Sequence, residues 1–271
     1  MMNRIAKKRR QDSVDNDGEE LNVWGPIELM PFKDRFSIKR ILTTWMRPFK
    51  LFFTEPIVLV LSLMSGITDA LIFVFVLLFA QGMRIVRGFQ VSKIGLAFLF
   101  IIIGYIIAWA AFIPAIWRSQ KERRDRPSDE RSKYESRLWF LLYTAPCLPI
   151  GLFGFAWTIN PTIHWIVSMA FAAIVGIANY AIYVATTDYI ICAYGPYSAS
   201  AIGGSGWTRN FLAGILTITV TPLFSYIGPE YAYTILACTS LIPVVAVYIV
   251  YWKGSVLRKR SPFAEQLARA R

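Results

Sequence analysis

Residues 179–209 read NYAIYVATTDYIICAYGPYSASAIGGSGWTR and decide the fold class, because polar groups here lie between two long apolar runs. The stretch carries one aspartate, one arginine, several tyrosines and the pair Gly195-Pro196. A charged side chain well inside a bilayer costs roughly 3 kcal/mol, so such a residue usually lines a cavity or meets a partner. A glycine followed by a proline ends one helix before the next begins. We therefore interpret the stretch as two membrane helices that meet at a polar seam.

The rest of the chain is too apolar for a soluble domain of 271 residues, with 55% hydrophobic residues, 17% charged residues and a mean hydropathy of +0.46. A transmembrane helix requires about 20 consecutive, largely uncharged residues. The sequence therefore predicts an all-α membrane protein with six transmembrane helices. The six runs are Ile57–Ala80, Ile94–Trp117, Leu138–Thr158, Ile163–Cys192, Tyr197–Tyr226 and Tyr231–Trp252.

The formal net charge of +12 reflects membrane topology rather than affinity for nucleic acid. Of the 29 lysines and arginines, only Arg84, Arg87 and Lys93 lie in the connections on one side of the predicted bundle. Cytoplasmic loops carry the excess of basic residues in membrane proteins. We therefore expect both termini in the cytoplasm, lipid as the main surrounding partner and no nucleic-acid partner.

The same pattern divides the chain into three parts. Residues 1–55 are predicted to form a basic cytoplasmic arm, residues 56–252 the six-helix domain and residues 253–271 a basic cytoplasmic tail. The arm has no apolar core typical of a signal peptide. Its segment 35–53 places apolar residues at helical spacing among basic ones, which indicates an amphipathic helix on the inner leaflet. Glu55 precedes Pro56 and is interpreted as a cap of the first span.

Sequence features of enzymes are missing from the chain. It contains no P-loop, GxSxG, HExxH or CxxC pattern, and a single histidine leaves little for acid–base or metal chemistry. The three cysteines lie far apart in apolar runs and form no disulfide or metal-ligand pattern. We expect no catalytic residues, no metal site and no cofactor.

Asp69 is the first candidate functional residue, because it lies about twelve residues from either end of the first predicted span. At 1.5 Å per residue, this places the carboxyl group about 18 Å deep, near the middle of the bilayer. A carboxylate at that depth is either a proton or cation site or a group that a neighbouring helix satisfies. The sequence leaves both alternatives open.

The remaining candidates lie on the fourth and fifth predicted spans. Tyr180 and Tyr183 share one helix face, which is compatible with helix packing or with a lined pathway. Arg209 lies roughly 15–18 Å from the Gly195-Pro196 break and Asp188 roughly 8–10 Å from it, so a long arginine side chain could reach the acid. Unpaired, Arg209 would face an aqueous cavity and attract anionic or polar groups. The predicted pathway residues are Asp69, Asn179, Tyr180, Tyr183, Asp188, Tyr189, Tyr194 and Arg209.

Several motifs together resemble the fungal drug:proton antiporter branch of the major facilitator superfamily. Their order and spacing are similar to those of spans seven to twelve, and residues 7–32 resemble the central cytoplasmic loop of that family. The motifs are RPFKLFFTEPIVLVLSL (47–63), PIGLFGFAWT (149–158), HWIV (164–167), AYGPYSASAI (193–202) with Arg209-Asn210, and GSVLRKRSPFA (254–264).

The resemblance implies a fold of two six-helix halves, each an inverted repeat of three and three helices, of which this chain carries the second. Transport in such a fold proceeds by alternating access around a site at the membrane midplane. By position, the polar seam of the family corresponds to Asp188, Tyr189, Tyr194 and Arg209. This chain departs from the family pattern in three places: Asp69 replaces a small or apolar residue, Cys192 often an acid, and residues 216–219 read LTIT instead of FPLF.

Two functions compete at this point. The first is proton-coupled export of drugs or other small organic or cationic compounds, with an N-terminal half or a second copy as partner. The plasma membrane is the expected location and the vacuolar membrane the alternative. The second is a truncated half-transporter that does not transport and acts as a membrane interaction or regulatory protein.

Overall fold

The computed structural model describes residues 38–125 and 138–259 of the chain. It divides into two compact units, Met1–Arg47 and Pro48–Arg271. Helix α1, Ile38–Thr54, begins in the first unit and ends in the second, and it overlaps the predicted amphipathic segment. Most of the predicted arm, the connection at residues 126–137 and most of the predicted tail lie outside the described residues.

The second unit is all α-helical over its described residues, as the sequence predicts. A 3₁₀ turn at Gly195–Tyr197 joins α6 and α7, the two helices on either side of the predicted polar seam. The third predicted span is divided between α4 and α5 and the sixth between α8 and α9. The helices are α2 (Pro56–Arg87), α3 (Val91–Asp125), α4 (Trp139–Thr144), α5 (Cys147–Thr158), α6 (Trp165–Tyr194), α7 (Ser198–Ile227), α8 (Pro229–Thr239) and α9 (Leu241–Lys259).

Five described segments are long and apolar enough to cross a membrane: Pro56–Arg87, Val91–Glu122, Trp139–Thr158, Trp165–Tyr194 and Pro229–Gly254. Helix α7 is not among the five, and it has 30 residues. At 1.5 Å per residue, a helix of this length extends over about 45 Å, more than the hydrocarbon core of a bilayer. Because it also packs along α2, we assign α7 as the sixth membrane helix.

Local sequence signals explain where the helices begin and end. Pro56 begins α2, where a missing N–H costs nothing, and Gly88 ends it in the left-handed conformation, with φ of 63°. His164 caps α6, because its Nδ1 accepts a hydrogen bond from the Ile166 backbone N–H at 3.4 Å. At the end of α2, the guanidinium of Arg87 donates to the carbonyls of Thr158 and Asn160.

Glycine allows the helices of the second unit to pack closely. Helix α6 lies against both α3 and α5. A Cβ at Gly151 of α5 would lie 2.7 Å from Val175 Cγ2, and a Cβ at Gly104 of α3 would clash with the Ala173 backbone. A Cβ at Gly154 of α5 would likewise clash with the Phe171 side chain, so α5 and α6 are in close contact at both glycines. Such small-residue contacts replace the hydrophobic driving force that helices lack inside a bilayer.

A cluster of aromatic rings forms the centre of the core. Phe155 lies 5.0 Å from Phe75 and 4.9 Å from Tyr233, both edge to face. The Tyr233 side chain is fully buried, and its hydroxyl has no hydrogen-bond partner. Gly82 makes room for that hydroxyl, because a Cβ at this position would lie 2.7 Å from it.

We predict that Gly82→Ala lowers the thermal stability of the purified protein, since overpacking a core costs about 1–3 kcal/mol. Tyr233→Phe is expected to keep or raise the stability, because it removes a buried hydroxyl without a partner. The double variant should therefore lose less stability than Gly82→Ala alone. Thermal melting in detergent measures all three.

Gly95→Ala is the matched control, because no atom lies within 4 Å of a Cβ at that helical position. Its melting temperature should equal or exceed that of the wild type. An equal loss for Gly82→Ala with and without Tyr233→Phe would contradict the contact.

Candidate functional site

Asp69 lies near the middle of α2 and is satisfied by groups from two other helices. Its carboxylate accepts hydrogen bonds from Asn179 Nδ2 at 3.1 Å and, within α2, from Ser65 Oγ at 3.5 Å. Arg209 of α7 places Nη1 at 3.4 Å from Asp69 Oδ2. The side chain of Asp69 is 11% exposed and that of Arg209 26%. The pair therefore lies at the border between the packed core and open space.

Asn179 connects this carboxylate to a third helix. Its Oδ1 accepts a hydrogen bond of 2.6 Å from the Tyr105 hydroxyl of α3, while its amide group donates to Asp69. One amide thus uses its acceptor toward α3 and a donor toward α2. The chain Tyr105–Asn179–Asp69 holds the carboxylate through Oδ1, whereas Arg209 contacts Oδ2.

Aromatic rings surround the charged pair. The guanidinium carbon of Arg209 lies 5.0 Å from the centre of the Tyr183 ring, within the range of a cation–π interaction. Tyr180 packs edge to face on Tyr105, with 6.0 Å between ring centres. The arginine therefore lies between a carboxylate and an aromatic face.

These groups line a cavity of about 350 Å³. Helices α2, α3, α6 and α7 all contribute to it. It combines a carboxylate, a guanidinium, two amides and three phenols with apolar side chains, which is the composition expected of a small-molecule site. Its lining consists of Asp69, Ile72, Phe73, Tyr105, Asn179, Tyr180, Tyr183, Arg209 and Asn210.

Five of the eight predicted pathway residues meet at this cavity: Asp69, Asn179, Tyr180, Tyr183 and Arg209. Asp188 lies elsewhere, in a cavity of about 480 Å³ between α3, α4 and α6. It follows Asn179 by nine residues, which is about 13.5 Å along the helix and half a turn around it. The predicted reach of Arg209 to Asp188 is therefore corrected: the arginine contacts Asp69.

Tyr189 and Tyr194, the other two predicted residues, are fully buried. The Tyr194 hydroxyl donates a hydrogen bond of 3.1 Å to Glu55, whose side chain is also buried. Glu55 is the N-cap residue of α2, as the sequence predicts, but its side chain makes no capping hydrogen bond to the helix. The seam implied by the family resemblance is thus divided between the cavity of Asp188, this buried contact and the cavity of Arg209.

Tyr105 and Asn210 line the cavity but are not among the predicted pathway residues. Tyr105 lies in an apolar run where a single hydroxyl resembles a packing residue, and only its hydrogen bond to Asn179 distinguishes it. Asn210 directly follows Arg209, and two adjacent polar residues inside an apolar run are the sequence feature that could have indicated it. Within the described residues, no group of three or more His, Cys, Asp or Glu side chains could hold a metal ion.

Comparison with known proteins identifies the family. The chain is 30% identical over 227 residues to kojT, an MFS-type transporter of Aspergillus flavus, which covers 83% of this chain. It is 28% identical over 270 residues, 97% of its length, to the efflux pump atB of Aspergillus terreus, and 31% identical over 225 residues to the MFS-type efflux pump MFS2 of Trichophyton rubrum. The chain belongs to the major facilitator superfamily.

This family member spans only part of its relatives, namely 40% of kojT, 55% of atB and 37% of MFS2. The named relatives are transporters and efflux pumps rather than enzymes. No protein-family model and no solved structure matches the chain.

We predict that Asp69→Asn and Arg209→Gln each lower the thermal stability, because each leaves one poorly solvated charge without its partner. The double variant should be closer to the wild type than either single variant, with a coupling energy of about 0.5–3 kcal/mol. Melting midpoints of the four proteins in one detergent measure this cycle. Strictly additive losses would show that the two side chains do not interact.

Proposed function

We propose that this protein is part of a membrane transporter whose solute path passes the cavity between Asp69 and Arg209. The observation that carries the proposal is a charged pair half-way along membrane helices that opens on a cavity of about 350 Å³. Such groups are costly in a bilayer and mark solute or proton pathways. The relatives are named as transporters and efflux pumps, which also supports a transport function.

Within this proposal, Asp69 is the proton-binding group of a proton-coupled exporter of small organic compounds. A proton on the carboxylate removes its attraction for Arg209, so proton binding and the ion pair exclude each other. The other titratable or charged groups at the cavity are Tyr105 from α3, Tyr180 and Tyr183 from α6 and Arg209 from α7. Among the described residues of α8 and α9, no titratable side chain lines it.

The transporter also requires a second six-helix unit across the cavity, because alternating access moves one half against the other. That unit is either joined to this one in a longer polypeptide or supplied by a second copy. The described chain then corresponds to the second half, with both termini in the cytoplasm and the plasma membrane as its location, or else the vacuolar membrane.

Inside-out vesicles from cells that express the full chain test this function. We expect an imposed proton gradient to drive the movement of at least one of three dyes, one cationic, one anionic and one neutral. Asp69→Asn should abolish this movement, whereas a protonophore should abolish it in the wild type. Arg84→Gln is the control, because it removes a positive charge from an exposed position outside the cavity.

Dye movement that Asp69→Asn leaves unchanged would remove Asp69 from the path. Vesicles of wild-type protein that move none of the three dyes would contradict transport by two copies of this chain. That result would favour its alternative role as a membrane interaction or regulatory protein.

A further inference from the structure

We propose that the cavity binds a small aromatic cation. Without this ligand, the guanidinium of Arg209 occupies the position of the cation, and the incoming ligand displaces it. The binding of such a cation does not depend on the proposed function. Only the further step, that the bound cation is also the transported solute, rests on it. The observation behind it is the position of the guanidinium, 3.4 Å from a carboxylate oxygen and 5.0 Å from the centre of an aromatic ring. These two groups are the ones that recognise organic cations.

The carboxylate does not depend on Arg209 for its orientation. Asn179 and Ser65 hold Asp69 through hydrogen bonds of 3.1 and 3.5 Å, and Tyr105 holds Asn179 in turn. When the guanidinium moves away, these contacts remain. The negative group of the site is therefore preorganised for a second cation.

The contact between the Arg209 guanidinium and the Asp69 carboxylate is weak enough for an incoming cation to replace the guanidinium. Its distance of 3.4 Å exceeds the roughly 2.7–2.9 Å of a strong charge-assisted hydrogen bond. Gly206 lies one turn earlier on α7. Apart from its chain neighbours and the nearby backbone of α7, the described atom within 4 Å of a Cβ at Gly206 would be Arg209 Nη2, at 3.8 Å. The space beside Gly206 is thus open to the arginine when it leaves the carboxylate.

The asymmetry of the pair favours a cation over an anion. An anion bound to Arg209 would detach it from Asp69, and the short, fixed carboxylate, 11% exposed, would lose its counter-charge. A cation bound to Asp69 instead releases the long arginine side chain, 26% exposed, which can extend toward water. Only the second exchange leaves no buried charge unpaired.

The aromatic lining sets the second requirement. Tyr183 offers its ring face, and Tyr180, Tyr105 and Phe73 add apolar and aromatic surface. A volume of about 350 Å³ lies at the lower end of the range for small-molecule sites. The expected ligand is therefore an ammonium or similar cation that carries one aromatic ring.

Equilibrium dialysis on the full chain in lipid nanodiscs tests the inference without any transport step. The probe is benzyltrimethylammonium, whose charge is permanent, and benzylsulfonate is its anionic counterpart. Empty nanodiscs correct for partition into lipid. We expect the wild type to bind the cation and not the anion.

Arg209→Gln should bind the cation about tenfold more tightly, because the competing internal cation is gone. Asp69→Asn should lose binding, and Arg84→Gln should equal the wild type. Weaker or unchanged cation binding in Arg209→Gln, or anion binding in the wild type that Arg209→Gln abolishes, would overturn the proposal. The last result would assign Arg209 as an anion site instead.

A second pair of variants keeps the test decisive where Arg209→Gln does not fold. Tyr183→Phe retains the aromatic face and should retain cation binding, whereas Tyr183→Leu should weaken it several-fold. Equal binding by the two variants would contradict the role of the ring. Because dialysis measures binding alone, cation binding without dye movement in vesicles would contradict transport by two copies of this chain and leave this inference intact.

Discussion

The carboxylate of Asp69 is the constraint on which the arrangement of the membrane helices depends. A charged group half-way along a membrane helix must be neutralised or hydrogen-bonded by its neighbours, because lipid offers neither. Helix α6 supplies Asn179 and helix α7 supplies Arg209. Both helices must therefore approach α2 at the same depth, and the cavity is the space that remains between them.

Close contacts of α6 with α3 and α5 fix the position at which α6 approaches α2. Gly104 and Gly151 allow α3 and α5 to approach the backbone of α6, and Tyr105 then reaches Asn179 with a hydrogen bond of 2.6 Å. Inside a bilayer, van der Waals contact and interhelical hydrogen bonds replace the hydrophobic effect as the forces that hold helices together. The small residues at these helix contacts thus determine the geometry of the polar groups in the cavity.

The fold class and the charged residues inside the membrane helices could be predicted from the sequence. The length of an apolar run and the presence of a charge within it are both local properties of the sequence. Asp69 and Arg209 were identified for this reason. Their pairing could not be predicted, since 140 positions separate them and only the packing of α7 along α2 brings them together. The comparison of Arg209 with Asp188 considered depth alone, and depth does not say which way a side chain faces around the helix.

The identity of the acid beside Arg209 changes what the cavity can do. The family resemblance implies a small or apolar residue at the position of Asp69 and often an acid at that of Cys192. The carboxylate that balances Arg209 in this chain is therefore a departure from the family pattern. A balanced pair presents almost no net charge to a neutral solute. A charged solute or a proton must instead exchange with one member of the pair. In the path that we propose, the exchange starts at the carboxylate, because Asn179 and Ser65 hold Asp69 in place. Protons and cations would then compete for the same oxygen atoms.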